Sequence, residues 1–341
     1  MKRLALLCLL LGLFSIPSFA QVSVGEKGEL SGLFFGDYYW IVNHHNQDLD
    51  GRNGFWIRRI YLTYDYKISD AFSSRLRLEM QHDGDFQGNS SLAPTVKDAY
   101  LKWQSGNHQI LAGISSTPTW DLVEETWAYR SVAKSPLDLY DFGSSRDLGL
   151  SFIGELGEAG KFNYHFFIGN GNGESADFNE GKKIMLSLGY DLTEHFFIEI
   201  YGDWNDATGE QDIYTLQGFI GYRSDAFNFG ALYARQLRQT IGPDLNLDLV
   251  SVFTSMQITE KTGGFLRVDH MFDPYPGGED NAFLPFSPEA ESTFLVGGID
   301  YKLHEMVHLM PNVEAIFYGE DAFGITPETD IIPRLTLLFE F

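Results

Sequence analysis

The sequence predicts an all-β chain: a transmembrane, antiparallel, up-and-down β-barrel of about 16 strands. Three observations carry that expectation. First, the C-terminal stretch alternates, with Ile331, Leu335, Leu337, Phe339 and Phe341 on one parity and Arg334, Thr336 and Glu340 on the other. Successive residues of a strand point to opposite faces, so this segment has one oily and one polar face. Second, beyond the first twenty residues no apolar run approaches the roughly 18 residues of a membrane-spanning helix, so any crossing must be made by strands. Third, the connections between alternating segments are short and long in turn.

The expected strands are 29–41, 55–67, 71–82, 95–104, 108–116, 146–155, 161–170, 182–190, 195–204, 211–223, 226–238, 247–258, 263–273, 292–302, 308–318 and 331–341. The third is typical: Leu76, Leu78 and Met80 share one face, and Arg75, Arg77, Glu79 and Gln81 the other. The second matches it, with Ile60, Leu62, Tyr64 and Tyr66 against Arg59, Tyr61, Thr63, Asp65 and Lys67. Short turns fall near residues 68–70, 105–107, 156–160, 191–194, 224–225, 259–262 and 303–307. Longer loops fall at 42–54, 83–94, 117–145, 171–181, 205–210, 239–246, 274–291 and 319–330. An even strand number puts both termini on the short-turn side. Closure should pair the first strand with the last, which ends at Phe341, because an open sheet edge is not tolerated in hydrocarbon. A terminal amphipathic strand ending on an aromatic resembles the last strand of bacterial outer-membrane barrels. Aromatics near strand ends (Tyr38, Tyr39, Trp40, Phe55, Trp56, Trp103, Tyr190, Trp204 and Tyr301) suit interfacial girdles.

The N-terminal segment reads as an export signal. Lys2 and Arg3 precede an apolar stretch from Leu4 to Ile16, and Ser18-Phe19-Ala20 offers small residues at a cleavage site. The expected division is a signal peptide, 1–20, and one barrel domain, 21–341. Cys8 lies in the signal, leaving no cysteine for a disulfide. With 24 basic against 47 acidic residues the chain carries a formal charge of −23, which argues against nucleic acid as a partner.

A barrel of about 16 strands is too wide for its own side chains to fill. The inward parity should therefore line water. Its basic members are Arg59, Lys67, Arg75, Arg77, Lys102, Arg267, Lys302 and Arg334. Its acidic members include Asp65, Glu79, Asp98, Asp147, Glu199, Asp203, Asp269, Asp300, Glu314 and Glu340. Arg59, Arg75 and Arg77 lie on two strands joined by a short turn and should share one wall patch. The longest loop, 117–145, carries Trp120, Asp121, Glu124, Glu125, Trp127, Tyr129, Arg130 and Lys134. A strandless loop of that length is usually functional or disordered, and its aromatics argue against disorder. It is expected to fold into the lumen and narrow it, setting its acids against the arginine wall.

One resemblance is specific. Phe55-Trp56-Ile57-Arg58-Arg59, Asp98-Ala99-Tyr100-Leu101, the stretch from Gly113 to Pro118, and Arg146-Asp147-Leu148-Gly149 occur in that order. The ordered set resembles the phosphate-selective porin O/P family of outer-membrane proteins. The resemblance implies a trimeric 16-stranded channel in the bacterial outer membrane, with passive diffusion past an infolded loop. Phosphate selectivity in that family rests on an arginine ladder and a lysine cluster, and this chain is too acidic to carry that over. The expected function is a diffusion channel for small hydrophilic solutes or ions, general or weakly cation-preferring. The alternatives are an anion- or phosphate-selective porin, and a surface scaffold or adhesin without channel activity. About eight residues between Ala20 and Glu29 leave no room for a plug.

No catalytic site, cofactor or metal is expected. No serine-hydrolase signature such as G-x-S-x-G occurs. His44-His45 near Asp48 and Asp50 is only a weak cation pattern, and Arg52 spoils an EF-hand reading by standing at its fifth position. The glycine-rich stretch 169–173 precedes no helix and reads as a loop. Mass spectrometry of the exported chain should find Gln21 as its first residue; a retained Lys2 would contradict the signal assignment.

Overall fold

The computed structural model describes residues 21–341 except 87, 89, 90, 158, 159, 178, 208 and 210; the expected signal, 1–20, lies outside the described residues. A short strand β1 (Val22–Val24) precedes the wall. The wall begins with β2 (Gly28–Trp40), β3 (Asn53–Lys67), β4 (Phe72–Met80), β5 (Thr95–Ser105), β6 (His108–Ser116), β7 (Arg146–Leu156), β8 (Phe162–Gly169) and β9 (Lys183–Asp191). It continues with β10 (Phe196–Asn205), β11 (Ile213–Arg223), β12 (Phe227–Arg238), β13 (Leu245–Thr259), β14 (Thr262–Met271), β15 (Ser292–His304), β16 (Val307–Tyr318) and β17 (Asp330–Glu340). Every expected strand is present. β1, which has no amphipathic length of its own, pairs back on β2 from Val22↔Leu30 to Val24↔Gly28.

Each strand from β2 to β17 runs antiparallel to the next, and β17 returns to β2 from Arg334↔Tyr39 to Glu340↔Leu33, closing a barrel of 16 strands. At the end of that seam Phe341 and Gly32 exchange both backbone hydrogen bonds at 2.9 Å. Gly32 is required there, because a Cβ would lie 2.3 Å from the Phe341 ring. Among the described residues no helix is long and apolar enough to cross a membrane.

The exterior is oily. Leu62, Leu76, Leu101, Ile200, Leu216, Val252, Leu266 and Leu335 are all exposed. An apolar surface of that extent is stable against lipid, not water. Tyr38, Trp40, Phe55, Trp103, Tyr190, Trp204 and Tyr301 are also exposed, as girdle residues should be. Tyr39 and Trp56 are not. They face inward and pack together, ring centroids 4.6 Å apart, against Phe86. Neighbours along a strand cannot share a face, so Tyr39 could not have joined Tyr38 and Trp40 outside.

Gly32→Val would force a branched side chain into the Phe341 ring. Overpacking of this kind costs about 1–3 kcal/mol. The variant should unfold at lower urea and show less of the compact, heat-modifiable band on gels; an unchanged midpoint would mean that the seam tolerates the added bulk.

Candidate pore lining and constriction

The inner wall of β3, β4 and β5 follows from register. Asp65 faces Arg75 and Thr63 faces Arg77 across β3 and β4, and Arg77 faces Asp98 across β4 and β5. Arg75 makes a bidentate pair with Asp65, donating at 2.8 and 2.9 Å. Arg77 donates to Thr63 Oγ1 at 2.9 Å and stands 3.4 Å from Asp98. Arg59 pairs with Glu79 at 3.1 Å and donates to Tyr61 Oη at 2.7 Å and Gln81 at 2.9 Å. The guanidiniums of Arg59 and Arg77 lie 5.5 and 5.0 Å from the Tyr61 ring centre. The three arginines therefore do share one patch, ordered by Tyr61 and three carboxylates. Lys102 lies further toward the short-turn end, in a cavity of about 410 Å³ also lined by Asp65, Lys67, Arg75 and Tyr100.

Two bulges add cations that strict alternation would have turned outward. Phe35 pairs with Arg59 but Gly36 with Ile57, leaving Arg58 as an extra residue. Arg77 pairs with Asp98 but Leu78 with Val96, which does the same for Lys97. Two residues then oppose one and the parity slips. Lys97 reaches Glu174 at 2.5 Å and Glu79 at 3.7 Å. Arg58 bonds Asp37 at 3.0 Å and Glu314 at 3.5 Å; Arg334 meets the same two acids at 3.2 and 2.5 Å. This quartet is buried. Arg334, Glu314, Arg267 and Asp269, expected to line water, are instead enclosed.

The loop between β6 and β7 contains two helices, α1 (Trp120–Trp127) and α2 (Pro136–Leu139). Its apolar contacts are with the inward parity of β10–β16. Trp127 is fully buried against Phe253 and Phe265, centroids 5.7 and 6.0 Å away, and Tyr129 stacks on Phe265 at 4.2 Å. Trp120 packs edge-on to Tyr201 at 5.8 Å. It lies in this apolar bed, not in the polar space. Wall side chains satisfy the irregular backbone: Arg267 donates to Lys134 O, Arg58 to Val132 O, Gln236 to Phe142 O and Arg238 to Asp141 O. The loop 272–291 joins it, with Asn281 donating to Leu139 O and Phe286 against Tyr140. That second partner escaped the sequence reading, although the run Phe283-Leu284-Pro285-Phe286 is the signal that could have shown it.

The expectation of an interior wet all round is corrected accordingly. Inward positions Phe167, Met185, Phe197, Phe219, Leu232, Leu249, Phe253, Phe265 and Phe294 are apolar and buried. They form the bed for the loop. The loop's polar side meets the other half of the wall. Asp121 and Asp98 hold Arg146 at 3.4 and 2.6 Å. Arg130 pairs with Glu124 at 3.2 Å and Asp138 at 3.1 Å, with Lys134 4.0 Å from Asp138. Burial pushes the Asp138 carboxyl up, but Lys134, Arg130 and Arg59 outweigh it, and the group stays below the usual carboxylate range. Glu125 turns away to Arg223 at 2.8 Å. The loop's acids thus answer its own cations, Arg146 and Arg223; Arg59, Arg75 and Arg77 are answered by the wall. A further cavity of about 330 Å³ lies on the long-loop side, lined by Arg146, Asp147, Glu174, Lys183 and Arg238.

Trp127→Ala should loosen the loop by about 3–5 kcal/mol, the usual range for a buried Trp. The readout is trypsin cleavage at Arg130 and Lys134 in the folded barrel, faster than in the parent; equal cleavage rates would mean that Trp127 does not hold the segment.

No protein-family model matches the chain, and neither does any curated protein sequence. Solved structures do match in fold. The anion-selective porin from Comamonas acidovorans is 14% identical at a TM-score of 0.67, covering 92% of this chain and 99% of that one. The outer membrane channel DcaP of Acinetobacter baumannii is 12% identical at 0.66, with 94% and 99% covered. OmpT of Vibrio cholerae in its trimer form is 12% identical at 0.62, with 92% and 99% covered. At such identities the likeness is one of architecture: the fold is that of outer-membrane porins. A closed barrel with a lipid-facing exterior fits the bacterial outer membrane.

Proposed function

We propose that the chain is an outer-membrane porin, a passive diffusion channel for small hydrophilic solutes or ions, with no catalytic activity. The single observation that supports this most is the polar half of the interior. There Arg59, Arg75, Arg77, Glu79, Asp98 and Lys97 form one patch, and the paired Arg130, Lys134 and Asp138 of the segment 117–145 lie beside its Arg59 and Lys97. We assign that segment as the constriction, held by its apolar side and presenting its polar side to solutes. Both signs are present and nearly every cation has a carboxylate partner, so selectivity is general or weakly cation-preferring, the bias coming from a chain charge of −23. A homotrimer is the proposed assembly, in keeping with the trimer form in the name of the Vibrio neighbour.

A second reading, anion preference, is favoured by Lys97 and Arg146, which lie beside the arginine patch and which parity did not place there. The phosphate-selective family named above remains a resemblance within it. Purified protein in a planar bilayer separates the readings. Stepwise conductance with a reversal potential displaced modestly toward cations is expected; a displacement toward anions would favour the second reading, and no conductance would reject both. Replacing Arg75 and Arg77 with Gln should move the reversal potential further toward cations, and an unchanged value would remove those residues from the path.

A further inference from the structure

The first outer loop meets the last strand at a cluster of which the sequence showed only the pair His44-His45. His44 and His45 follow β2, and Asp330, 285 residues beyond His45, opens β17. One donor atom from each of the three lies within 4.8 Å of the others. His45 Nδ1 stands 2.9 Å from Asp330 Oδ2 and 3.0 Å from Oδ1, and His44 Nδ1 is 3.9 Å from Oδ1. The His45 amide donates to the same carboxylate at 2.6 Å, and so does the Tyr318 hydroxyl at 2.6 Å. Asp48 and Asp50, the acids close in sequence, are not part of the group.

Two features distinguish this cluster from an ordinary hydrogen-bonded corner. Asp330 is fully buried, and among the described residues no Lys or Arg pairs with it. Several other enclosed acids, among them Asp37, Glu314 and Asp269, have arginines. An enclosed carboxylate needs a compensating charge. Next, His44 is fully buried, and its Nε2 finds no hydrogen-bond partner. Its Nδ1 now accepts from the Asn46 amide at 3.0 Å, a bond that coordination through that atom would replace.

We propose that His44, His45 and Asp330 form a site for a late first-row divalent cation, zinc being the best fit. Two imidazoles and one carboxylate are a zinc-type donor set that leaves a fourth position open. Donors about 2.0–2.1 Å from a tetrahedral ion lie about 3.3 Å from one another, so His44, 3.9 Å from the carboxylate in a set of donors spread over up to 4.8 Å, would have to move inward on binding. Tyr318 Oη lies 2.6 Å from Asp330 and 3.2 Å from His45, where it orients the carboxylate or supplies the fourth ligand. The ion would tie the first outer loop to the closing strand, beside the Asn43↔Ile331 bridge. This inference does not depend on channel activity.

The test uses the untagged full-length chain, purified in detergent, stripped with chelator and titrated with zinc chloride. One zinc per chain is expected to remain after gel filtration. Cobalt chloride should give the visible absorption of a low-symmetry site, bleached by added zinc. A variant carrying His44→Gln, His45→Gln and Asp330→Asn should lose both signals by at least tenfold in affinity. Heat-modifiable migration of the same sample reports whether that variant has folded. If it has not, Tyr318→Phe, expected to weaken zinc several-fold, serves instead. No zinc retained by the parent, or retention equal in the folded triple variant, would overturn the site and leave a hydrogen-bonded latch.

Discussion

The constraint on which the rest of this structure depends is that hydrocarbon offers no partner to a backbone N–H or C=O. Each unpaired group there costs several kcal/mol, so a sheet in a bilayer must close. The β2–β17 pairing meets that requirement, and Gly32 with Phe341 extends it to the last residue of the sequence. Much of the remaining architecture follows. Closure fixes sixteen strands around a lumen wider than their side chains can fill. That lumen must hold water or inserted chain.

This barrel does both. Along β8–β15 many inward positions are Phe, Leu or Met, which water would solvate poorly, and the segments 117–145 and 272–291 cover them. Irregular backbone brought inside would strand its own carbonyls. Arg58, Arg238, Arg267, Gln236 and Asn281 supply the missing donors. Arginine suits the task because its forked donors serve a carbonyl and a carboxylate together, as Arg267 does with Lys134 O and Asp269. The same constraint that closes the wall thus also governs how the loop is seated.

The wall was legible in the sequence because lipid acts on every second residue. Leu76, Leu335 and their like must face outward, and period two survives along most of the wall. The interior was less legible, for two physical reasons. A bulge shifts parity by one residue without a mark that single-sequence alternation can read, which hid Arg58 and Lys97. And an inward aromatic such as Phe197 beside an outward Ile198 looks like a run of apolar residues, not like a bed for a loop. The aromatics of 117–145 did signal packing; their partners lay eighty or more residues away. His44 and Asp330 illustrate the same limit, since a ligand set spread across the closing seam has no local spacing to recognise.

The electrostatics of the polar half bear on what such a channel could discriminate. A lone arginine in a narrow, poorly hydrated space would act as a fixed positive charge. Arg75 held bidentate by Asp65, or Arg59 by Glu79, is closer to a dipole, whose field falls off faster. Screening beyond roughly 8–10 Å weakens it further at physiological salt. Paired charges therefore give little ionic selectivity but a well-ordered lattice of donors and acceptors. Tyr61, between Arg59 and Arg77, fixes that lattice from beneath. In a channel of the kind proposed, discrimination would come from the shape and hydrogen-bonding pattern of a polar solute more than from its net charge.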